Sequence, residues 1–524
     1  MHSENQTDSI SIMSQQKKIS NALISVFNKD GLEDMLAMLN AEGVKFISTG
    51  GTRRFIEKLG YECVAVEDIT NYPSIFGGRV KTLHPKIFGG ILNRRDDNSD
   101  RQEVFSYRIE PIDLVVVDLY PFCETVAAGG SHADIIEKID IGGISLIRAT
   151  AKNYKDVAII PSKEQYGYFN EILRTQGAST TEEQRLKLAC DAFAVSSAYD
   201  SAIFNYFDTL DKKTPSALRL AVDGEMSLRY GENPHQKGCF FGKFYDIFDK
   251  LHGKEVSYNN ILDIDAATAL IEEFRDSDPT VAILKHNNPC GLAVRPTLPE
   301  AWQDALKGDP VSAFGGIIIA NRPIDLATAE LINSIFFEVI IAPGYSQEAL
   351  DILEQKKNRI ILLQKRSCHN DKVFRTALDG VLMQERDNHT ETPSDMKVVT
   401  KIAPDAGQVD DLLFANIIVK HSKSNAIVLA KDNMLLASGI GQTSRVDALK
   451  QAIAKAGELG HDLNGAVMSS DAFFPFDDCV KIAAAAGIKA VIHPGGSIRD
   501  NDSIVAADNL GLAMVTTGIR HFHH

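Results

Sequence analysis

Residues 281–291 read Val-Ala-Ile-Leu-Lys-His-Asn-Asn-Pro-Cys-Gly. The apolar run Val281–Leu284 has the pattern of a buried strand. It ends in Lys285 and His286, and Asn287, Asn288, Pro289 and Gly291 then call for a turn. An ammonium and an imidazole therefore stand together at the end of a buried strand, where open α/β sheets gather their chemistry. Histidine exchanges a proton near neutral pH, and lysine holds developing negative charge. A solvated strand-end pair with no chemistry fits these residues equally well.

Thr49-Gly50-Gly51-Thr52 lies between a strand and a helix start. Glycines let backbone approach a ligand, and the free N–H groups of a helix start attract anions. Gly77-Gly78-Arg79-Val80-Lys81-Thr82-Leu83-His84-Pro85-Lys86 adds Arg79, Lys81, His84 and Lys86 within eight residues. In an acidic chain this points to a phosphate or carboxylate ligand, with a solvated basic loop as the alternative. Together the two motifs suggest a sugar-phosphate pocket. Asp140-Ile141-Gly142-Gly143 precedes a helical run, 144–150, that leads to Lys152. A carboxylate and an amine from one such unit could be acid–base partners. Without more context the plainer reading is preferred, an N-cap Asp and a surface Lys.

Arg229-Tyr230-Gly231-Glu232-Asn233-Pro234-His235 combines hydrogen-bonding groups with turn formers, as a rigid binding loop would. Asn425 precedes a buried strand, placed either to orient a carbonyl or to cap a turn. Gly439-Ile440-Gly441-Gln442-Thr443-Ser444-Arg445 leads into a helix and reads as another anion loop. It lacks the third glycine of a dinucleotide fingerprint. In Ser470-Asp471-Ala472-Phe473-Phe474-Pro475-Phe476 the aromatics either wall a flat heterocycle or pack a core.

These residues need elements to hold them. Over the first 200 residues strand signals (22–27, 44–47, 112–118, 157–161) alternate with helical ones (32–40, after 52, and 180–207), and Ser131 with Asp134 forms a capping box. This is an α/β domain with a parallel sheet. Residues 208–225, with Thr214-Pro215, read as a linker. A second α/β region spans 226–385, with strands at 281–284 and 316–320, and 386–397 is a polar connector. A third region, 398–524, carries strands at 426–430, 434–438, 466–469, 490–492 and 512–516, with helices at 444–458 and 477–486. Pattern alone leaves open whether these two regions are related halves.

The chain has 524 residues, 44% apolar and 24% charged, which fits several globular domains. A net charge of −15 argues against nucleic-acid or acidic-membrane surfaces. No apolar run reaches membrane-spanning length. Residues 1–18 read as a disordered tail rather than a signal peptide. Seven scattered cysteines without a C-x-x-C pair fit a reducing cytoplasm.

Taken in order, Gly-Gly-Arg-Val-Lys-Thr-Leu-His-Pro (77–85), Asp-Ile-Gly-Gly (140–143), Arg-Tyr-Gly-Glu-Asn-Pro-His-Gln (229–236), Lys-His-Asn-Asn-Pro-Cys-Gly (285–291), Ile-Ala-Pro-Gly-Tyr (341–345), Ser-Ser-Asp-Ala-Phe-Phe-Pro-Phe (469–476) and the Phe-His-His end form a series. Across residues 19–524 the chain resembles the bifunctional purine-biosynthesis family that joins AICAR transformylase to IMP cyclohydrolase. The resemblance implies a methylglyoxal-synthase-like parallel α/β domain (19–207) followed by two cytidine-deaminase-like α/β halves (226–385 and 398–524). It implies formyl transfer from 10-formyltetrahydrofolate to the 5-amino group of AICAR, then closure of formyl-AICAR to IMP with loss of water. It also implies a cytoplasmic homodimer with transformylase sites at the subunit interface and no transition metal.

By the same resemblance His286 is the proton acceptor in formyl transfer, Lys285 its electrostatic partner, and Asn425 the residue near the formyl group. Arg229, Tyr230, Phe473 and Arg520 match substrate contacts. Lys81, Tyr120, Asp140 and Lys152 match the cyclohydrolase residues, and Thr49, Gly50, Gly51, Thr52, Arg79 and Thr82 would hold the 5′-phosphate. Three positions depart from relatives. Phe27 replaces a small polar residue, Gly316 an aspartate near the folate site, and His521 is a variation in the tail. A zinc nucleoside deaminase would need H-x-E and P-C-x-x-C. Ala293 stands where the second cysteine would be, so the P-C-x-x-C half of that zinc site is missing. A nucleotide-sensing module would explain the phosphate loops but gives no reason for Lys285–His286 and Asp140/Lys152 together.

Overall fold

The computed structural model describes residues 16–211, 217–368 and 371–524. The expected tail up to residue 15 and Thr214-Pro215 lie outside the described residues. The chain divides into two compact units, one up to Val222 and one from Asp223 to His524. Among the described residues no helix is long and apolar enough to cross a membrane.

The first unit carries strands Lys17–Lys18 (β1), Asn21–Ser25 (β2), Lys45–Ser48 (β3), Cys63–Ala65 (β4), Leu114–Val117 (β5), Ala158–Ile160 (β6) and Ser179–Thr180 (β7). Five of them form a parallel sheet in the order β4-β3-β2-β5-β6. The runs Ala22–Ile24 and Leu114–Val117 are buried, as a sheet covered by helices requires. Lys17 and Lys18, expected in a disordered tail, instead pair with Thr180 and Ser179. The helix Glu182–Leu210 opens with a capping box, in which Thr181 and Gln184 each bond the other's backbone N–H. It runs three residues past the expected end, and its last turns matter. The Tyr206 ring lies edge-on to Phe122 at 5.8 Å, and its hydroxyl is 2.8 Å from Nδ1 of His132.

The second unit adds Glu225–Ser227 (β8), Cys239–Phe241 (β9), Phe248–His252 (β10), Thr280–Lys285 (β11), Asn288–Val294 (β12), Ile317–Ala320 (β13), Val339–Ala342 (β14), Ile360–Gln364 (β15), Lys372–Ala377 (β16), Gly380–Glu385 (β17), Lys397–Val398 (β18), Ile427–Lys431 (β19), Met434–Gly439 (β20), Val467–Ser470 (β21), Ala490–His493 (β22) and Ala513–Thr516 (β23). Glu225 and Lys397, expected in the linker and the connector, thus begin strands. Twelve strands form one sheet, β10-β15-β14-β13-β11-β12-β20-β19-β21-β22-β23-β18.

The sheet is two copies of one pattern. β11 is antiparallel to β12 and β13, then β13, β14 and β15 run parallel, and β10 closes the edge antiparallel. β19 relates to β20, β21, β22, β23 and β18 in the same way. The halves meet at an antiparallel bridge between Ala293 and Met434. Side chains alternate along β11, so Val281 and Ile283 enter one core and Ala282 and Leu284 the other.

The first unit has its own sheet and core, so a fragment ending at Val222 is expected to unfold cooperatively. A fragment ending at residue 205 loses the Tyr206 contacts, worth at least about 1 kcal/mol. It is expected to melt about 2–4 °C lower for each kcal/mol lost. Calorimetry of the two fragments checks this.

Candidate active sites

In the first unit a cavity of about 750 Å³ opens where β2, β3 and β5 end, the usual ligand edge of a parallel sheet. Ser25–Phe27, Thr49 with Gly51 and Thr52, and Asp118 with Tyr120 line it from the strand ends, and Gly77–Leu83 and Ile136–Gly143 from two loops. Thr49 is the N-cap of the helix Gly50–Lys58, and its side chain caps nothing. The first-turn N–H groups of that helix stay available for an anion. Lys29 brings a cation to the same place. Its Nζ donates to the carbonyls of Val26 (3.0 Å) and Phe27 (2.7 Å) and would sit 3.9 Å from a Cβ at Gly51. The buried hydroxyl of Thr52 accepts from Val26 N (3.1 Å) and donates to Val26 O (2.9 Å). It braces the loop, and it is spent on that.

Lys81 lies across Gly78, where a Cβ would stand 2.6 Å from Cε and 2.9 Å from Nζ. With φ at +94°, only glycine suits that position. Arg79 pairs with Glu137. Asp140 is buried, and its Oδ1 accepts from Gly143 N at 2.6 Å. The Tyr199 hydroxyl accepts from Asp140 N (2.8 Å) and donates to Lys138 O (2.6 Å), fixing this turn. Burial pushes the Asp140 carboxyl above the usual range, against the pull of backbone N–H groups and Lys81. Burial, with Asp140 and Asp118 nearby, also raises the Tyr120 phenol, so it stays a neutral donor at pH 7. Lys152 is not brought here. It is the exposed last residue of the helix Gly142–Lys152, whose first turn faces the cavity. Ten residues of rise place it about 15 Å along the axis.

In the second unit β11 and β12 are joined by a two-residue turn, His286-Asn287, with φ of 51° and 63°. Both being positive makes it a tight hairpin turn with the imidazole at its tip. Asp263, in the helix Tyr258–Glu272, accepts from Asn287 N at 2.7 Å. Burial pushes its carboxyl up. Lys285 Nζ donates to Phe314 O at 2.8 Å. Asn288 Oδ1 accepts from Lys423 N at 3.3 Å, which ties the turn to the segment entering β19. Asn425 stands there, its Nδ2 on Gln442 O and its Oδ1 receiving Arg445, both at 2.8 Å. Arg445, expected in an anion loop, is instead buried, with Nη2 2.7 Å from Asp471 and Nε 2.9 Å from Ser470 Oγ.

Phe474 belongs to the core, its ring centroid 4.7 Å from that of His493, whereas Phe473 and Phe476 are exposed. Arg520 is exposed and stacks on Phe522 at 4.4 Å. Arg229 lies over Tyr230 at 4.6 Å and donates to its hydroxyl at 2.6 Å. Their loop reaches the start of the Tyr258–Glu272 helix through Asn259 Nδ2 and Glu232 O at 3.0 Å. At Gly316 a Cβ would stand 2.6 Å from Leu284 O, so no side chain fits there. Among the described residues no cluster of three or more His, Cys, Asp or Glu is placed to hold a metal.

Residues 31–145 match a model of the MGS-like domain, and residues 150–455, over half of the chain, match that of the AICARFT/IMPCHase bienzyme. The chain belongs to the AICARFT/IMPCHase bienzyme family. A Bacteroides thetaiotaomicron relative named bifunctional purine biosynthesis protein PurH is 63% identical over 98% of this chain and 100% of its own length. Relatives of the same name from Chlorobium luteolum and Lactobacillus acidophilus are each 46% identical, covering 97% and 96% of this chain and 99% of their own lengths. Within this family frame Lys29, Asp118, Tyr199 and Asp263 were missed as site residues, and Arg445 was read as an anion ligand rather than as a brace for Asn425. Asp118, Tyr199 and Asp263 act through partners distant in sequence, whereas Lys29 bonds the nearby Val26 and Phe27 carbonyls; only the Gly-rich loops hinted at Lys29 and Asp118.

Cyclisation is expected to lose rate by roughly 10²-fold or more in Lys81→Ala and Asp140→Asn and to change less than twofold in Lys152→Ala. Its acid limb is expected above the ordinary aspartate value of about 3.9, because the carboxylate form of Asp140 is lost at a higher pH as acid is added. Steady-state rates against pH for the three variants test both points.

Proposed function

We propose that the two sites divide the family's two reactions between the two units, and that the hairpin turn carrying His286 beside Lys285 is the centre of formyl transfer. The observation that carries this is the convergence of Lys285, His286 and, through Asn288 and Lys423, Asn425 on one end of the sheet. The protein is a bifunctional enzyme of purine biosynthesis, an AICAR formyltransferase and IMP cyclohydrolase. Its co-substrate in this reading is 10-formyltetrahydrofolate, which supplies the formyl group. The donors fit that chemistry: an ammonium, an imidazole and a carboxamide beside a carbonyl that gains negative charge.

The AICAR amine is a poor nucleophile, because its lone pair is delocalised into the ring and carboxamide. As its nitrogen bonds to the formyl carbon, His286 takes the amine proton. Lys285 stabilises the oxygen and donates the proton that the departing folate nitrogen needs. Asn425, fixed by Arg445 and Gln442, orients the formyl group. Phe473 offers a flat face to the heterocycle, and Arg229, Tyr230 and Arg520 hold the nucleotide. Positioning and charge stabilisation together carry the rate.

For ring closure, the open helix start at Gly50–Thr52, with Thr49, Lys29, Arg79 and Thr82, receives the 5′-phosphate. Lys81 faces the formyl oxygen as the amide nitrogen attacks. Asp140 accepts the amide proton and Lys81 supplies one to the formyl oxygen, giving a hydroxyl. The former formamide nitrogen then loses its proton and forms the C=N bond as the C–O bond breaks. Tyr120 protonates the departing hydroxyl, so that water leaves. Because both reacting groups lie on one molecule, much of the acceleration is proximity.

The repeated half-sheets support reading each half as cytidine-deaminase-like. We place the protein in the cytoplasm, a reading its free cysteines support, and read it as a homodimer. The hairpin β16–β17 supports the second point, exposing Phe374, Leu378, Val381 and Leu382, a patch that favours burial against a partner. Sedimentation with parallel assay in a dilution series tests it; a fully active monomer contradicts it.

His286→Ala is expected to lower formyl transfer roughly 10²-fold or more and to leave cyclisation of supplied formyl-AICAR unchanged. Assay of both half-reactions decides: near-normal transfer overturns the assignment, and equal loss of both activities indicates misfolding.

A further inference from the structure

The segment after β23 carries a second histidine with an unusual setting. His521 is 3% exposed. Its Nδ1 is 2.6 Å from Asp387 Oδ2 and its Nε2 is 2.8 Å from Glu391 Oε1. Both acids come from the stretch between β17 and β18, and Glu391 is itself buried. An imidazole donates to carboxylates from both nitrogens only as the imidazolium. The backbone around it is fixed too. His521 N donates to Asp471 O at 3.1 Å, Ser424 N to His523 O at 2.8 Å, and His523 N to Ser424 Oγ at 3.1 Å. These bonds land next to Phe473 and Asn425, and Arg520 is the residue just before the clamped histidine.

Lys420 and the His389 N–H also act on Asp387, but His521 is its first and strongest partner. Lys420 Nζ is taken by Glu273 at 2.6 Å and His389 O at 2.8 Å, and His421 Nε2 lies 3.2 Å from the same Glu273 oxygen. Thr390 also donates to Glu273. The 387–391 stretch is thus anchored on one side to the Glu273–Lys420 pair and on the other to His521. The remaining titratable groups of the segment are Arg520, His523 and His524, with Asp471 beneath it.

We propose that His521, held as an imidazolium between Asp387 and Glu391, is a positioning residue for formyl transfer that fixes the tail so that Arg520 meets the phosphate of AICAR. The inference rests on the reading of Arg520 as a substrate contact. Burial alone would pull the imidazole down. The hydrogen bonds and charges of Asp387 and Glu391 outweigh it and raise it to about 9. The ordinary value is about 6.5. A raised value means that the clamp is complete below about pH 6.5 and is lost as pH rises through about 9.

The test uses the full-length enzyme and follows KM for AICAR and kcat of formyl transfer from pH 6.5 to 10. In the wild type KM is expected to climb as pH passes about 9. His521→Leu is expected to raise KM about tenfold at pH 7, the scale of one charge-assisted contact, with kcat within about twofold and the climb abolished. Glu391→Gln removes one carboxylate and is expected to move the climb to lower pH, a readout available even if the leucine variant fails to fold. Arg520→Ala is expected to raise KM at least as much, and adding His521→Leu to it should change little. Wild-type KM and pH profile in a folded His521→Leu or Glu391→Gln variant, alongside a raised KM in Arg520→Ala, overturns the positioning role alone. An unchanged KM in Arg520→Ala overturns the substrate contact and the inference with it.

Discussion

The guanidinium of Arg445 is buried, and each of its three nitrogens is committed: Nε to Ser470, Nη1 to Asn425 and Nη2 to Asp471. A buried ion pair is weak evidence for stability, because desolvation offsets most of the attraction, yet removing one partner alone costs about 3–5 kcal/mol. What the pair determines here is placement. It joins the entry of β19, the end of β21 and the start of the Arg445–Glu458 helix. Asn425 takes its orientation from Arg445, Phe473 follows Asp471 by two residues, and the Asp471 carbonyl receives His521 N. The groups assigned to the formyl group, the heterocycle and the phosphate are therefore hung from one buried contact.

The duplicated half-sheet shows how such a site arises from a structural unit. The first half turns at His286-Asn287 and the second at Asp432-Asn433, all four residues with positive φ. In each, an aspartate six residues into a helix accepts from the turn: Asp263 from Asn287 N at 2.7 Å, Asp411 from Asp432 N at 2.9 Å and Asn433 N at 2.6 Å. The second turn carries an Asp-Asn pair suited to positive φ. In the first, a histidine takes the strained place at the tip, where its ring is accessible. Strain of this kind persists when its surroundings over-determine it, and Asp263 supplies that restraint. Asp263 thus positions His286 as Arg445 positions Asn425.

The apolar runs Val281–Leu284 and Ile112–Asp118 and the capping pair Ser131–Asp134 were legible in the sequence, because burial and capping are local. So were the glycine-rich loops that line the first unit's cavity. β12 was hidden because Asn288-Pro289-Cys290-Gly291 reads as turn formers. The ladder is bulged there, which accommodates Pro289. Arg445 looked like an anion ligand because its type was visible and its partner, Asp471, was not. Lys152 closes the helix that follows Asp140, and helical rise carries it away from the cavity. Thr52 matched the phosphate loop by type, while its hydroxyl is consumed by Val26. Residue type reads from sequence; the partner that spends or frees a side chain does not.

The central claim, that the Arg445–Asp471 pair exists to place the formyl-transfer groups, is tested most directly by replacing both partners with apolar residues, Arg445→Met with Asp471→Leu. Removing both charges together is often neutral for stability, so the double variant is predicted to melt cooperatively near the wild type and to cyclise formyl-AICAR normally. With Asn425 released, its formyl transfer is predicted to fall by roughly tenfold or more. A folded double variant that transfers formyl at the wild-type rate would contradict the account.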